Sequence, residues 1–181
     1  MKLTALSGNN RKTLALLGAM CLFLSTIEYM IPKPLPFMRL GIANLPLILA
    51  LDIFPFPVYM LLATIKITGQ ALITGTLFSY VFLFSLAGTT ASALAMYAFR
   101  RLFGSNLISY IGTGTLGAMV SNIIQLLLAS VFVFGTAVQY IAPPFMAAGI
   151  VTGICLGVFC EFFTRKSKWY ANHRITDVPD K

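Results

Sequence analysis

The chain has 181 residues, 58% hydrophobic and only 10% charged, with a mean hydropathy of +0.86 and a net charge of +8. A soluble domain carries about 25% charged residues, so this sequence lacks the polar surface to cover a water-soluble globule of its size. The class it indicates is an all-α integral membrane protein, and its positive charge then reads as membrane topology rather than as nucleic-acid binding.

Six spans fit the apolar runs, in one bundle. The first covers Thr13–Ile31 and stops at "PKPLP", where proline cannot continue a helix. Lys2, Arg11 and Lys12 ahead of it imitate a signal peptide. No small-x-small cleavage site precedes Pro32, however, and Met20 before Cys21 spoils a lipoprotein processing site, so a retained helix is expected. Ala15, Gly18 and Ala19 give this helix a small-residue stretch near its N-terminal end, a spacing that lets another helix approach closely. A short second span is expected from about Met38 to Phe54, kinked at Pro46 and stopped by "FPFP". The apolar run from Phe56 to Phe99 is too long for one crossing of a ~30 Å core, so it must turn once, with "GTLFSY" (Gly75–Tyr80) the best place. The fifth span runs from about Ile108 to Phe134 and the sixth from about Ile141 to Thr164, beginning beside "APP".

Residues 1–12 form a tail, 13–164 the membrane domain and 165–181 a basic tail. With six spans, the two tails and the loop carrying Arg100 and Arg101 share one side and hold ten of the thirteen Lys and Arg. Basic residues concentrate on the cytoplasmic side, which places both termini there and the protein in the cytoplasmic (inner) membrane.

Lys66, in "LLATIKITGQALITG", is the feature that invites chemistry. An ionisable group in a span costs roughly 3 kcal/mol on insertion scales. Lys66, Gln70 and Thr74 follow at i, i+4 and i+8, one stripe of the third helix climbing toward the external face. Glu28 is the carboxylate placed to share that depth, and Lys33 and Arg39 add outer cations. Asn44 on the second span and Ser121, Asn122 and Gln125 on the fifth bring further polar groups to mid-depth. A ligand site and an internal ion pair with hydrogen-bonding glue both account for this set.

Cys21, Cys155 and Cys160 lie in apolar runs without metal-ligand spacing, and His173, the one histidine, sits in the tail. No phosphate-binding Walker loop and no paired aspartate clusters for a Mg²⁺-bound diphosphate are present. The chain is therefore expected to be no enzyme, to hold no metal or cofactor, and to leave ATP hydrolysis to other subunits.

The segments "PFMRLGIANLPLILALDIF", "FSYVFLFSLAG", "LGAMVSNIIQLLLA" and "APPFMAAGIVTGI" resemble the Gx transporters, also labelled heptaprenyl diphosphate synthase component I. These are similar to the substrate-binding S components of energy-coupling factor transporters. The resemblance covers about Leu14 to Phe163. It implies a six-helix bundle binding its ligand in the outer half, with Ala15 and Ala19 docking on a coupling membrane subunit. One departure is Ser121, where that family tends to carry a histidine before the asparagine. On this reading the protein captures a small anionic or amphipathic molecule from outside, held by Lys66, Gln70, Thr74, Arg39, Asn44, Asn122, Gln125 and Glu28, with coupling and ATP-hydrolysing subunits in trans. The alternative is a non-catalytic membrane subunit associated with prenyl diphosphate synthesis or with flavin- or quinone-linked electron transfer.

Overall fold

The computed structural model of the protein describes residues 8–31 and 41–173, and every regular element among them is helical. Helix α1 (Gly8–Met30) and helix α3 (Phe56–Ile73) run parallel, with Gly18 against Ile65 and Leu62, and Gly69 against Leu22. Between them lies α2 (Leu45–Ala50), preceded by a 3₁₀ turn, Ile42–Asn44. Helix α3 opens after Pro55 with Pro57 in its first turn, where a missing N–H costs nothing. It ends at Thr74, and Gly75 at φ 66 turns the chain into α4 (Tyr80–Leu107). The break falls where the 44-residue apolar run was expected to turn.

Helix α5 (Tyr110–Ala129) is capped by Ser109, whose Oγ accepts the Gly112 amide at 3.2 Å. A π-helical turn (Ser130–Phe134) and a 3₁₀ turn (Gly135–Ala137) then reverse the chain into α6 (Val138–Lys166), with Gly135 at φ 53 taking a conformation that side chains disfavour. α5 and α6 pack antiparallel along a glycine seam. A Cβ at Gly157 would lie 2.4 Å from the Ile111 Cα, and one at Gly153 would lie 2.8 Å from the Thr115 Cα. A single-turn helix, α7 (Lys168–Ala171), follows a break at Ser167.

Length and apolarity mark Asn10–Met30, Phe56–Ile73, Tyr80–Gly104 and the stretch Tyr110–Lys166 as able to cross a membrane. The last stretch has 57 residues, about 85 Å if straight, and is folded back at Ser130–Ala137 into α5 and α6. Two sequence expectations need correcting here. The second segment, which returns the chain between the parallel α1 and α3, is not one kinked helix over Met38–Phe54. Its described part holds a 3₁₀ turn and a six-residue helix about 9 Å long, and that helix alone is far shorter than a ~30 Å core. All six α2 residues are buried, because a helix apolar on every side is stable only when neighbours cover it completely. Pro143 and Pro144 lie inside α6, which starts at Val138 rather than beside "APP".

Candidate functional site

The bundle interior is polar at one level, and the local fold explains how. Gly41 adopts φ 79, which starts the Ile42–Asn44 turn, and the Asn44 amide closes it on the Gly41 carbonyl at 2.8 Å. Glu28, on the inward face of α1 and only 1% exposed, receives the amides of that turn. Its Oε1 accepts from Gly41 N at 3.1 Å and its Oε2 from Ala43 N at 3.3 Å. Lys66, on the inward face of α3 and 3% exposed, donates from Nζ to Asn44 Oδ1 at the far end of the same turn. Two opposite charges on parallel helices thus hold one short segment, Glu28 through its backbone and Lys66 through the Asn44 side chain.

Beside this turn a cavity of about 20 Å³ is lined by Glu28, Asn44, Lys66 and Gln70, by Thr89 and Ser92 of α4, by Ser121 and Asn122 of α5, and by Thr152 of α6. One water needs roughly 10–15 Å³, so the cavity admits a water-sized group. Gly41, Gly114, Gly117 and Gly149 are on its lining, and at Gly114, Gly117 and Gly149 close packing against Gly153, Met96 and Asn122 leaves no room for a Cβ.

Two atoms on this lining are unsatisfied among the described residues. Gln70 Oε1 and Ser92 Oγ are buried with no hydrogen-bond partner, in side chains 5% and 1% exposed. A buried polar atom without a partner costs about 1–3 kcal/mol, so such atoms gathered on one cavity call for a ligand that meets them. Gln125 Oε1 and Ser85 Oγ are unsatisfied nearby on α5 and α4 without lining the space.

The sequence candidates therefore divide. Glu28, Asn44, Lys66, Gln70 and Asn122 meet at the cavity. The Asn122 amide nitrogen is occupied by the Phe145 carbonyl at 3.0 Å, fastening α5 to α6. Gln125 lies off the lining, its amide nitrogen donating to Ser121 Oγ at 2.9 Å. Thr74 also lies off it. As the residue ending α3, it donates from Oγ1 to its own helix at Gln70 O (2.9 Å) and contacts the Thr76 hydroxyl at 2.8 Å. Arg39 and Lys33 fall outside the described residues. Of the docking candidates, Ala15 and Ala19 are exposed, whereas Gly18 is buried against α3 and cannot share their surface. Thr89, Ser92 and Thr152 were missed by sequence reading, although Ser85, Thr89 and Ser92 follow at i, i+4 and i+7, a legible inward stripe.

A second polar cluster, also missed, sits at the opposite end of α2. Arg100 binds Asp52 with two parallel hydrogen bonds, Nε to Oδ1 at 3.0 Å and Nη2 to Oδ2 at 2.6 Å, and gives Nη1 to the Ile108 carbonyl at 2.7 Å. Its guanidinium lies 4.3 Å from the Tyr110 ring centre. The Tyr110 hydroxyl donates to Asp52 Oδ2 and meets the Tyr170 hydroxyl at 2.8 Å. Burial raises the pKa of the Tyr170 hydroxyl, and the neighbouring Tyr110 and Asp52 raise it further, so it stays a proton donor. Arg100, counted from sequence as a loop cation, is buried. Among the described residues no group of three His, Cys, Asp or Glu is placed to hold a metal ion.

One family model matches the chain, described as heptaprenyl diphosphate synthase component I, over residues 17–163. No curated protein and no solved structure matches it.

Proposed function

From the premise that the chain belongs to the heptaprenyl diphosphate synthase component I family, we propose that this membrane protein is a substrate-binding subunit. It captures a small anionic or amphipathic molecule from the external side of the cytoplasmic membrane. It is not itself an enzyme, and uptake is driven by a coupling membrane subunit and ATP-hydrolysing subunits in trans, with both termini of this chain in the cytoplasm. The carrying observation is the polar cavity, where Lys66 and Glu28 hold the Gly41–Asn44 turn beside the unsatisfied Gln70 and Ser92. A charged side chain at this depth is expensive, and an anionic group on the ligand replaces Asn44 as the partner of Lys66. The space beside the turn is small, so a ligand larger than water needs the turn to move, and the turn is held in part by side-chain bonds from Glu28 and Lys66. Ala15 and Ala19, exposed on α1, supply small side chains for the coupling subunit.

The family's description favours a second reading, a non-catalytic component of prenyl diphosphate synthesis. Native purification followed by mass spectrometry of bound small molecules and partner proteins separates the two. An ATPase module together with a retained polar molecule supports capture, whereas a soluble synthase without that module replaces it. Lys66→Met is expected to abolish retention while the protein still folds, because one side of the clamp and the cationic contact are both lost. Undiminished retention by that variant would remove Lys66 from the site.

A further inference from the structure

We propose that α7 is a strap that locks one end of α2 and, through α2, sets the shape of the cavity at its other end. This regulatory role rests on reading the cavity as a substrate site. α2 is short, buried on every side and joined to both polar clusters. Asn44 and Ile48 line the cavity, while Leu49 and Asp52, at its other end, enter the Arg100 and Tyr110 network. A fully packed six-residue helix shifts as one body, since interiors near close packing do not absorb displacement locally.

The hold of α7 on this network is one side chain deep. The chain leaves α6 at Ser167 in an extended conformation (φ −85, ψ 108), and Ser167 Oγ caps α7 by accepting the Tyr170 amide at 3.2 Å. Tyr170 inserts to 3% exposure, and Trp169 packs beside it on the main hydrophobic core. A tyrosine hydroxyl has one hydrogen to give. Tyr110 spends its own on Asp52, so Tyr170 is the donor at 2.8 Å, with the Leu49 carbonyl sharing that proton at 3.3 Å. Leu49 is among the last four carbonyls of α2, which have no partner within the helix. The strap thus completes the end of the helix whose other end is joined to Asn44. A single turn has no stability of its own, so α7 stays folded only while docked.

The test uses the full chain in lipid nanodiscs with a spin label at Ala171→Cys, in a Cys155→Ser background. Ala171 and Cys155 are exposed, whereas Cys21 and Cys160 are buried from the reagent. The parent protein gives an immobilised spectrum. Tyr170→Phe removes the inserted donor and raises the mobile fraction roughly fivefold, the equivalent of one hydrogen bond. Ser167→Ala, which removes only the α7 cap, shifts the spectrum the same way and serves where Tyr170→Phe yields no folded protein. Asn44→Ala, at the far end of α2, raises the mobile fraction about twofold or more if α2 transmits. An unchanged spectrum in Tyr170→Phe and Ser167→Ala overturns the strap. A response to those two with none to Asn44→Ala overturns transmission through α2. Neither readout needs a bound molecule, so a substrate reading that fails in purification fails separately.

Discussion

The α5–α6 seam makes a demand that a single methyl group can test. In Gly157→Ala the new Cβ would stand 2.4 Å from the Ile111 Cα, 2.7 Å from the Tyr110 carbonyl oxygen and 2.9 Å from the Ile111 nitrogen. Carbon atoms prefer about 3.5–4.0 Å, so the overlap with Ile111 exceeds about 1 Å, and every atom met is backbone that cannot rotate away. Tilting gives no relief, because Gly153, one turn earlier, already sits where a Cβ would be 2.8 Å from the Thr115 Cα. The helices must separate, which overpacking experience puts at roughly 1–3 kcal/mol. Separation also stretches the Asn122 to Phe145 bond across the seam, for about another 1 kcal/mol. In a Cys155→Ser background the buried thiols of Cys160, on α6 one turn beyond Gly157, and of Cys21 are built-in reporters, because a thiol-reactive dye reaches them only on unfolding. The midpoint of dye labelling on heating is expected to fall by roughly 5–15 °C in Gly157→Ala. Gly18→Ala is the control. Its Cβ meets only the side chains of Ile65 and Leu62, at 3.6 and 3.9 Å, so it is tolerated and gains up to about 1 kcal/mol of helix propensity. A Gly157→Ala protein melting with the parent, or a Gly18→Ala protein falling as far, would falsify the packing described for this seam.

Two further substitutions separate structural from functional polarity. Asp52→Asn keeps the shape of the side chain but leaves Arg100 buried beside a neutral amide, costing about 3–5 kcal/mol in denaturation, whereas Asp52→Leu combined with Arg100→Met recovers most of that loss. If the double variant is as unstable as the single one, an uncompensated charge is not the cause. Gln70→Met removes an acceptor that has no described partner, so the melting midpoint stays level or rises by the equivalent of up to about 1 kcal/mol, while retention of the bound molecule drops. Lost stability with unchanged retention would make Gln70 ordinary hydrogen-bonding glue.

Some of this architecture was legible in the sequence because it follows from local chemistry. The turn at Gly75 had to exist, since an apolar run of that length cannot cross once, and a glycine was available for the positive φ that ends α3. The stripe Lys66 to Gln70 was legible by helical spacing, and so was the hydroxyl stripe of α4, although serine and threonine in an apolar helix read as filler until a cavity lies beside them. Thr74 illustrates the limit of spacing. It continues the stripe by count, but α3 stops there and its hydroxyl turns back on Gln70 O. The length of α2 was not legible, because "LGIANLPLILALDIF" is apolar enough to cross a membrane and only the tertiary fold shows that it is buried by neighbours instead. The pairing of Asp52 with Arg100 joins residues 48 positions apart, a distance at which no sequence pattern speaks.

The same limit applies to Lys66 and Glu28, and here it changes the question. Sequence alone offers two partners for a buried lysine, a carboxylate at its own depth or an incoming anion. The structure adds a contact that the two share. Glu28 binds backbone amides at one end of the Gly41–Asn44 turn and Lys66 binds a side chain at the other, so each charge is partly satisfied by polar groups of the same short segment. A hydrogen bond from a charged group to a neutral amide is weaker than one to a charged partner, so Asn44 is a partner that an anion can displace from Lys66. On the capture reading, displacing Asn44 frees the turn at one end while Glu28 keeps the other, so that ligand charge would move α2 without loss of the fold.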